Sequence, residues 1–95
     1  MSEDLNAAAE KLNEKLGGGF DGVAKFMVEG EGAIMVDSSG ARVADEDADV
    51  TLTADRDTFM SLLSGDLNPT TAFMTGKLSV DGDMGKAMAL GSALA

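Results

Sequence analysis

Residues 48–65 read ADVTLTADRDTFMSLLSG, and within this stretch the hydrophobic pattern changes from the period of a strand to that of a helix. Up to residue 54, polar residues alternate with an apolar set, which is Ala48, Val50, Leu52 and Ala54. Such alternation is typical of a strand with one buried face. After Asp55, a good N-cap, the apolar residues Phe59, Leu62 and Leu63 share a helical face until Gly65. The stretch therefore predicts a half-buried strand followed by an amphipathic helix.

Downstream, the sequence predicts three further elements. Asn68 and Pro69 suit the cap and first position of a short helix that ends at Gly76. Leu78 and Val80 then mark the core face of a last strand. Asp83 caps a final helix with four residues at i, i+3, i+4 and i+7, which are Met84, Ala87, Met88 and Gly91.

Upstream, the pattern predicts one helix and three strands. Ser2 is a candidate cap for a helix that ends at residues 17–19, and its apolar face consists of Leu5, Ala8, Ala9, Leu12 and Leu16. A strand starting at Ala24 turns Ala24, Phe26 and Val28 to one side, and Ile34 and Val36 mark a second strand. A short edge strand over residues 42–44 precedes an acidic turn at residues 45–47.

The resulting order is helix, four strands, two helices, strand, helix. It favours an α+β fold in which a single five-stranded, mostly antiparallel sheet is covered on one face by helices while its other face is wet. With 95 residues, we expect residues 1–95 to form a single domain.

Composition excludes several functions. A net charge of −10 with only seven Lys and Arg argues against binding to nucleic acid or to anionic membranes. Since no uncharged run approaches the ~20 residues of a spanning helix, stable membrane insertion is not expected. Glu3 and Asp4 stand where a secretory signal would carry basic residues, so a soluble, cytoplasmic protein is expected.

The residue inventory argues against an enzyme. The chain contains no His, Cys, Tyr or Trp, so imidazole bases, thiolate nucleophiles and the usual metal ligands are absent. Two carboxylate pairs, Asp55 with Asp57 and Asp81 with Asp83, occur at predicted helix starts, where acids act as caps. We therefore expect no catalytic residue, no metal site and no cofactor.

Two short segments match known binding motifs only in part. Asp45, Asp47 and Asp49 match the start of a calcium loop, but Val50 and Arg56 occupy the positions of its glycine and its bidentate glutamate. The segment at residues 30–32 begins a dinucleotide-binding pattern, yet it lies between two strands and lacks the third glycine. A solvated acidic turn and a hairpin turn are the preferred interpretations.

The apolar stretch at residues 87–95 leaves two interpretations open, because its small and flexible side chains suit either an ordinary core or the wall of a pocket.

Four segments resemble the sterol carrier protein (type two) family. They are residues 48–53 (ADVTLT), 63–69 (LSGDLNP), 72–78 (AFMTGKL) and 82–88 (GDMGKAM). The family resemblance implies a five-stranded sheet under helices that enclose a hydrophobic tunnel, with non-enzymatic binding and transfer of sterols, fatty acids, fatty acyl-CoA or phospholipids. An end at Ala95 predicts a shortened last helix and a more open pocket, and the absence of a C-terminal Ser-Lys-Leu address favours a cytoplasmic, bacterial protein.

By position in the resemblance, twelve apolar side chains are ligand-binding candidates. They are Phe26, Val28, Ile34, Leu52, Phe59, Leu62, Leu63, Phe73, Met74, Met84, Met88 and Leu94.

Two other hypotheses remain. The chain could be an acidic protein-protein interaction module with a dry core, steered to a basic partner by charge. It could also act on acyl thioesters through a carboxylate, which the inventory disfavours. The sequence does not indicate an oligomeric state.

Overall fold

The computed structural model describes residues 2–17 and 19–94. Its elements follow the predicted order. They are α1 (Ser2–Leu16), β1 (Ala24–Val28), β2 (Gly32–Asp37), β3 (Gly40–Val43), β4 (Val50–Ala54), α2 (Arg56–Ser64), α3 (Pro69–Met74), β5 (Leu78–Gly82) and α4 (Met84–Leu94). The side chain of Ser2 lies outside the described part of the chain, and so does its predicted role as a cap.

Within the described residues, the strands form one sheet in the order β3-β2-β1-β4-β5. Three of the four pairings are antiparallel, and the pairing of β1 with β4 is parallel. The predicted α+β class with a mostly antiparallel five-stranded sheet is therefore confirmed.

One face of the sheet carries the hydrophobic core. Phe26 pairs with Ile34 on one side and with Leu52 on the other, and Leu52 pairs with Val80. Directly paired residues point to the same face, so these side chains form a row across four strands. The row meets buried side chains of the helices, which include Leu5, Ala8, Ala9, Leu12, Phe59, Leu62, Leu63, Leu90 and Leu94.

The predicted caps of α2, α3 and α4 are present. The Asp55 carboxylate accepts a hydrogen bond from the Thr58 N–H at 2.7 Å, and the Asn68 side chain accepts from the Thr70 N–H at 2.8 Å. Asp83 likewise accepts from the Lys86 N–H at 3.1 Å. The Thr58 N–H lowers the pKa of Asp55 below its ordinary value. These contacts account for Asp55 and Asp83 as caps.

A side chain from α1 occupies the edge of the sheet. The Asn13 amide donates to the Ala41 carbonyl at 2.9 Å and accepts from the Ala41 N–H at 2.7 Å. Asn13 thus supplies to Ala41, a residue of the edge strand β3, the two backbone hydrogen bonds that a neighbouring strand would supply. Exposed strand edges invite pairing with other chains, so Asn13 both anchors α1 and covers this edge.

The face opposite the helices is partly covered, which corrects the expectation of a wet face. Since β3 ends at one end of the sheet and β4 begins at the other, residues 44–49 cross this face. The Lys25 ammonium binds Asp45 at 2.8 Å, and the Arg42 guanidinium binds Glu46 at 2.9 Å. Met35, which pairs with both Lys25 and Arg42, is completely buried beneath the crossing. The predicted acidic turn is therefore part of this cover.

Gly82 lets β5 approach the start of β4. It has a φ of 114°, and a Cβ built there would collide with the Asp49 carbonyl oxygen. The same carbonyl accepts from the Asp83 N–H at 2.9 Å, which fixes where α4 begins over the sheet.

Candidate ligand-binding cavity

An apolar cavity of about 260 Å³ lies between the sheet and the helices α2, α3 and α4. Its walls are formed by Phe26, Leu52, Leu62, Pro69, Thr70, Phe73, Leu78, Val80, Met84, Ala87, Met88, Gly91, Ser92 and Leu94. Side chains of β1, β4 and β5 form the floor, since Phe26, Leu52 and Val80 belong to one cross-strand row.

Two helices, α3 and α4, form the roof and contact each other at Gly91. A Cβ built on Gly91 of α4 would lie 3.5 Å from the Pro69 Cβ of α3, so the glycine allows the two helices to approach closely. Pro69 is itself buried at this contact. Beyond it, α3 ends at Met74 after six residues.

The cavity opens to solvent beside the methionines of α4. Met88 is 71% exposed although it lines the cavity, and Phe73 and Met84 are exposed by 44% and 45%. Exposed large apolar side chains around an apolar hollow are typical of ligand or partner sites. We call the five exposed lining residues the rim, and they are Thr70, Phe73, Met84, Met88 and Ser92.

The cavity offers van der Waals contact and little electrostatic recognition. None of its described lining residues is charged, and its polar side chains are the hydroxyls of Thr70 and Ser92. Nor do the described residues contain a group of three or more His, Cys, Asp or Glu side chains that could hold a metal ion. Such a wall can take an apolar chain or ring system out of water.

Seven of the twelve candidate residues line the cavity: Phe26, Leu52, Leu62, Phe73, Met84, Met88 and Leu94. The other five lie elsewhere. Val28, Ile34, Phe59 and Leu63 are buried in the core, while Met74 is 78% exposed and does not line the cavity. Val28 and Phe59 border a separate hollow of about 10 Å³ near α1, which is barely the size of one water molecule.

The other seven lining residues were not among the candidates. They are Pro69, Thr70, Leu78, Val80, Ala87, Gly91 and Ser92. Leu78 and Val80 were assigned to the core face of the last strand, and Ala87 and Gly91 to the same helix face as Met84, so these four had a sequence signal. Thr70 and Ser92 carried none, because a hydroxyl on a helix gives no indication of a neighbouring hollow.

Comparison with known sequences identifies a family over nearly the whole chain. Residues 3–95 match the SCP-2 sterol transfer family. Sterol Carrier Protein 2 of Gallus gallus is 34% identical over 102 residues, and Hydroxysteroid dehydrogenase-like protein 2 of Xenopus laevis is 31% identical over 98 residues. Each match covers 95% of this chain, but the chain spans only 18% and 24% of those two proteins.

Comparison with solved structures gives the same fold. The sterol carrier protein domain 2 of Helicoverpa armigera is 30% identical with a TM-score of 0.66, covering 97% of this chain and 80% of that one. Sterol Carrier Protein-2 of Aedes aegypti, solved in complex with palmitate, has a TM-score of 0.75 at 21% identity, covering 93% and 91%. The second likeness concerns the fold alone.

Within the described residues, no helix combines the length and the apolar character needed to cross a membrane.

Proposed function

Because the chain belongs to the SCP-2 sterol transfer family, we propose that it is a non-enzymatic domain that binds the apolar part of a lipid in the cavity beneath α3 and α4 and transfers it. The observation that carries this proposal is the open hollow of about 260 Å³ with no charged described residue in its wall. Taking apolar surface out of water stabilises a complex by about 25 cal/mol per Å². The driving force is therefore burial, without a catalytic step.

The size of the cavity limits how much of a ligand it encloses. Small-molecule pockets usually have volumes of about 300–1,000 Å³, so this cavity is at the lower end. It holds an apolar segment, and the rest of the ligand lies at the rim. Since none of the described residues in the wall is a cation, a carboxylate or phosphate headgroup stays in water near Thr70 and Ser92.

The ligand classes proposed are sterols, fatty acids, fatty acyl-CoA and phospholipids. Methionine side chains adapt to different shapes and make few directional contacts, so several apolar ligands bind with similar strength. A protein of the same fold has been solved in complex with palmitate, which supports an acyl chain as one of these ligands. A cytoplasmic location and a bacterial source remain predictions from the sequence.

The alternative of an acidic interaction module requires a dry, fully packed core. The cavity does not fit that requirement, because packed interiors contain few voids larger than a water molecule. Lipid binding is the better explanation of the hollow.

The proposal is tested by native mass spectrometry of freshly purified protein and by titration with a fluorescent fatty acid. We expect a co-purified lipid or saturable uptake, with displacement by palmitate, cholesterol and palmitoyl-CoA. A protein that is empty and also takes up none of these probes would contradict the proposal.

A further inference from the structure

Charge is segregated between the cavity region and the rest of the chain. Residues 67–80 and 84–94, which form α3, α4 and the start of β5, contain no Asp or Glu, and their charged side chains are Lys77 and Lys86. The remaining sequence carries all 17 acidic side chains against five basic ones. These two stretches thus carry two positive charges and no negative charge in a protein whose net charge is −10.

Two acids, Asp81 and Asp83, lie between these two stretches of the sequence. Asp81 pairs with Thr51 and therefore points to the sheet face opposite the cavity, since Val80 and Leu52 occupy the cavity side. The Asp83 carboxylate is engaged by the Lys86 N–H at the start of α4. Lys86 itself extends toward Gly22, where a built Cβ would lie 2.9 Å from the Lys86 Cδ.

The same region concentrates exposed apolar side chains. Four of the six large hydrophobic residues that are exposed in the described chain lie here, and they are Phe73, Met74, Met84 and Met88. Met74 is the most exposed of them and does not line the cavity. An interior ligand site therefore does not explain why Met74 is apolar.

We propose that this surface, comprising the rim and Met74, docks on a bilayer of uncharged or zwitterionic lipids, with the cavity opening against the membrane. The inference rests on the proposed function, because docking places the opening where an apolar ligand leaves or enters the bilayer. Amphipathic surfaces bind the interface in proportion to the apolar area that they bury.

Charge decides between the possible occupants of this surface. Two copies of a chain with a net charge of −10 repel each other, which disfavours self-association through the rim. An anionic bilayer would attract Lys77 and Lys86 but repel the acidic remainder of the protein, where acids outnumber bases by 17 to five. A neutral lipid surface incurs neither repulsion.

Docking is measured with tryptophan probes, because the chain contains no Trp. Met74→Trp places an indole on the proposed surface but outside the cavity wall, and Met60→Trp places one on α2 as a control. Met60 is also an exposed methionine, at 44%. With phosphatidylcholine vesicles we expect a blue shift and quenching by brominated acyl chains for Met74→Trp alone. Equal responses of the two variants, or none with Met74→Trp, would overturn the proposal.

A second pair of variants separates docking from ligand binding. Met74→Glu should weaken vesicle binding about tenfold, the loss expected when one methionine is no longer buried. It should slow the transfer of a fluorescent fatty acid between vesicles equally, while the affinity for that ligand in solution stays unchanged. Met60→Glu should change neither.

The outcomes distinguish this inference from the proposed function. Ligand uptake with no vesicle binding by the parent protein would overturn docking and leave the cavity's function intact. Vesicle binding with no uptake of any ligand would contradict the proposed function instead. Stronger binding to vesicles containing phosphatidylserine, or a dimer that Met74→Glu dissociates, would contradict the assignment of a neutral bilayer.

Discussion

The ring centroids of Phe26 and Phe59 lie 5.3 Å apart, with an interplanar angle of 48°. Of these two residues, only Phe26 lines the cavity. Phe26 is on the sheet and forms part of the cavity floor. Phe59 packs from α2 on the side that faces α1. The pair therefore joins the ligand site to a closed part of the core.

Leucine substitutions at the two rings should separate stability from ligand binding. Both Phe26→Leu and Phe59→Leu should reduce the free energy of unfolding by about 1–3 kcal/mol, through lost ring packing and burial. Only Phe26→Leu should also change ligand affinity, because its side chain lines the cavity. Urea denaturation and ligand titration measure the two effects. A similar affinity change in Phe59→Leu would mean that the cavity extends farther than the structure shows.

Filling the contact between α3 and α4 should block the cavity. Gly91→Leu projects a large side chain between Pro69 and the cavity, and we expect at least about tenfold weaker ligand binding, a change of about 1.4 kcal/mol. Ala89→Leu is the control, since Ala89 is exposed on the same helix and does not line the cavity. If both variants bind like the parent protein in a ligand titration, the ligand does not occupy this hollow.

The smaller change Gly91→Ala should stabilise the protein. The added Cβ would lie at an ordinary contact distance of 3.5 Å from the Pro69 Cβ, and alanine is about 0.8–1 kcal/mol more favourable than glycine inside a helix. A rise in Tm by calorimetry is the expected result. A fall in Tm would show that α3 and α4 need the full closeness that the glycine permits.

Met35 should behave as a core residue although it lies on the outer face of the sheet. Met35→Ala is expected to cost about 2–5 kcal/mol of stability, because the side chain is completely buried under residues 44–49. Met27→Ala changes a half-buried methionine on the same face and should cost less. Chemical denaturation of both variants provides the comparison. Equal, small effects would indicate that the crossing does not cover Met35.

Removal of the Asn13 amide should expose the sheet edge. Asn13→Ala deprives both backbone groups of Ala41 of their partner, and a loss of about 1–3 kcal/mol is expected. Asn6→Ala, at an exposed position of the same helix, should change stability by less than about 0.5 kcal/mol. Faster hydrogen exchange at the Ala41 amide in Asn13→Ala would locate the effect. Unchanged exchange would refute it.

The cap of α2 predicts part of the acid sensitivity. Because the Thr58 N–H lowers the pKa of Asp55 in the folded protein, this carboxylate stabilises the fold above its ordinary pKa of about 3.9. That contribution disappears as the pH falls from this value through the lower, folded pKa. Asp55→Asn keeps a capping oxygen without a titrating group, so its stability should depend less steeply on pH below about 4. An identical acid profile for both proteins would contradict this assignment.

The sequence alone determined the order of the elements, the caps of α2, α3 and α4 and the inward side of β1, β2, β4 and β5. Two strand bounds were wrong, because β3 covers Gly40–Val43 where residues 42–44 were predicted, and β4 begins at Val50 where residue 48 was predicted. The properties that were predicted correctly are local. Asp55, Asn68 and Asp83 bond to N–H groups two or three residues away, and the alternation of Val50, Thr51 and Leu52 follows from the strand's own geometry. The family resemblance rested on these same segments, and it was confirmed over residues 3–95.

The tertiary structure decided which apolar residues reach the cavity. Leu62 and Leu63 are adjacent and both buried, yet only Leu62 lines it, and of Phe73 and Met74 only Phe73 does. Likewise, the crossing of residues 44–49 buries Met35, which no alternating pattern reveals. Periodicity specifies the side to which a residue points, but the distance between layers depends on helix lengths and on contacts such as that of Pro69 with Gly91, which are remote in sequence. The cavity results from the distance between the sheet and the helices, so no single segment of the sequence predicts it.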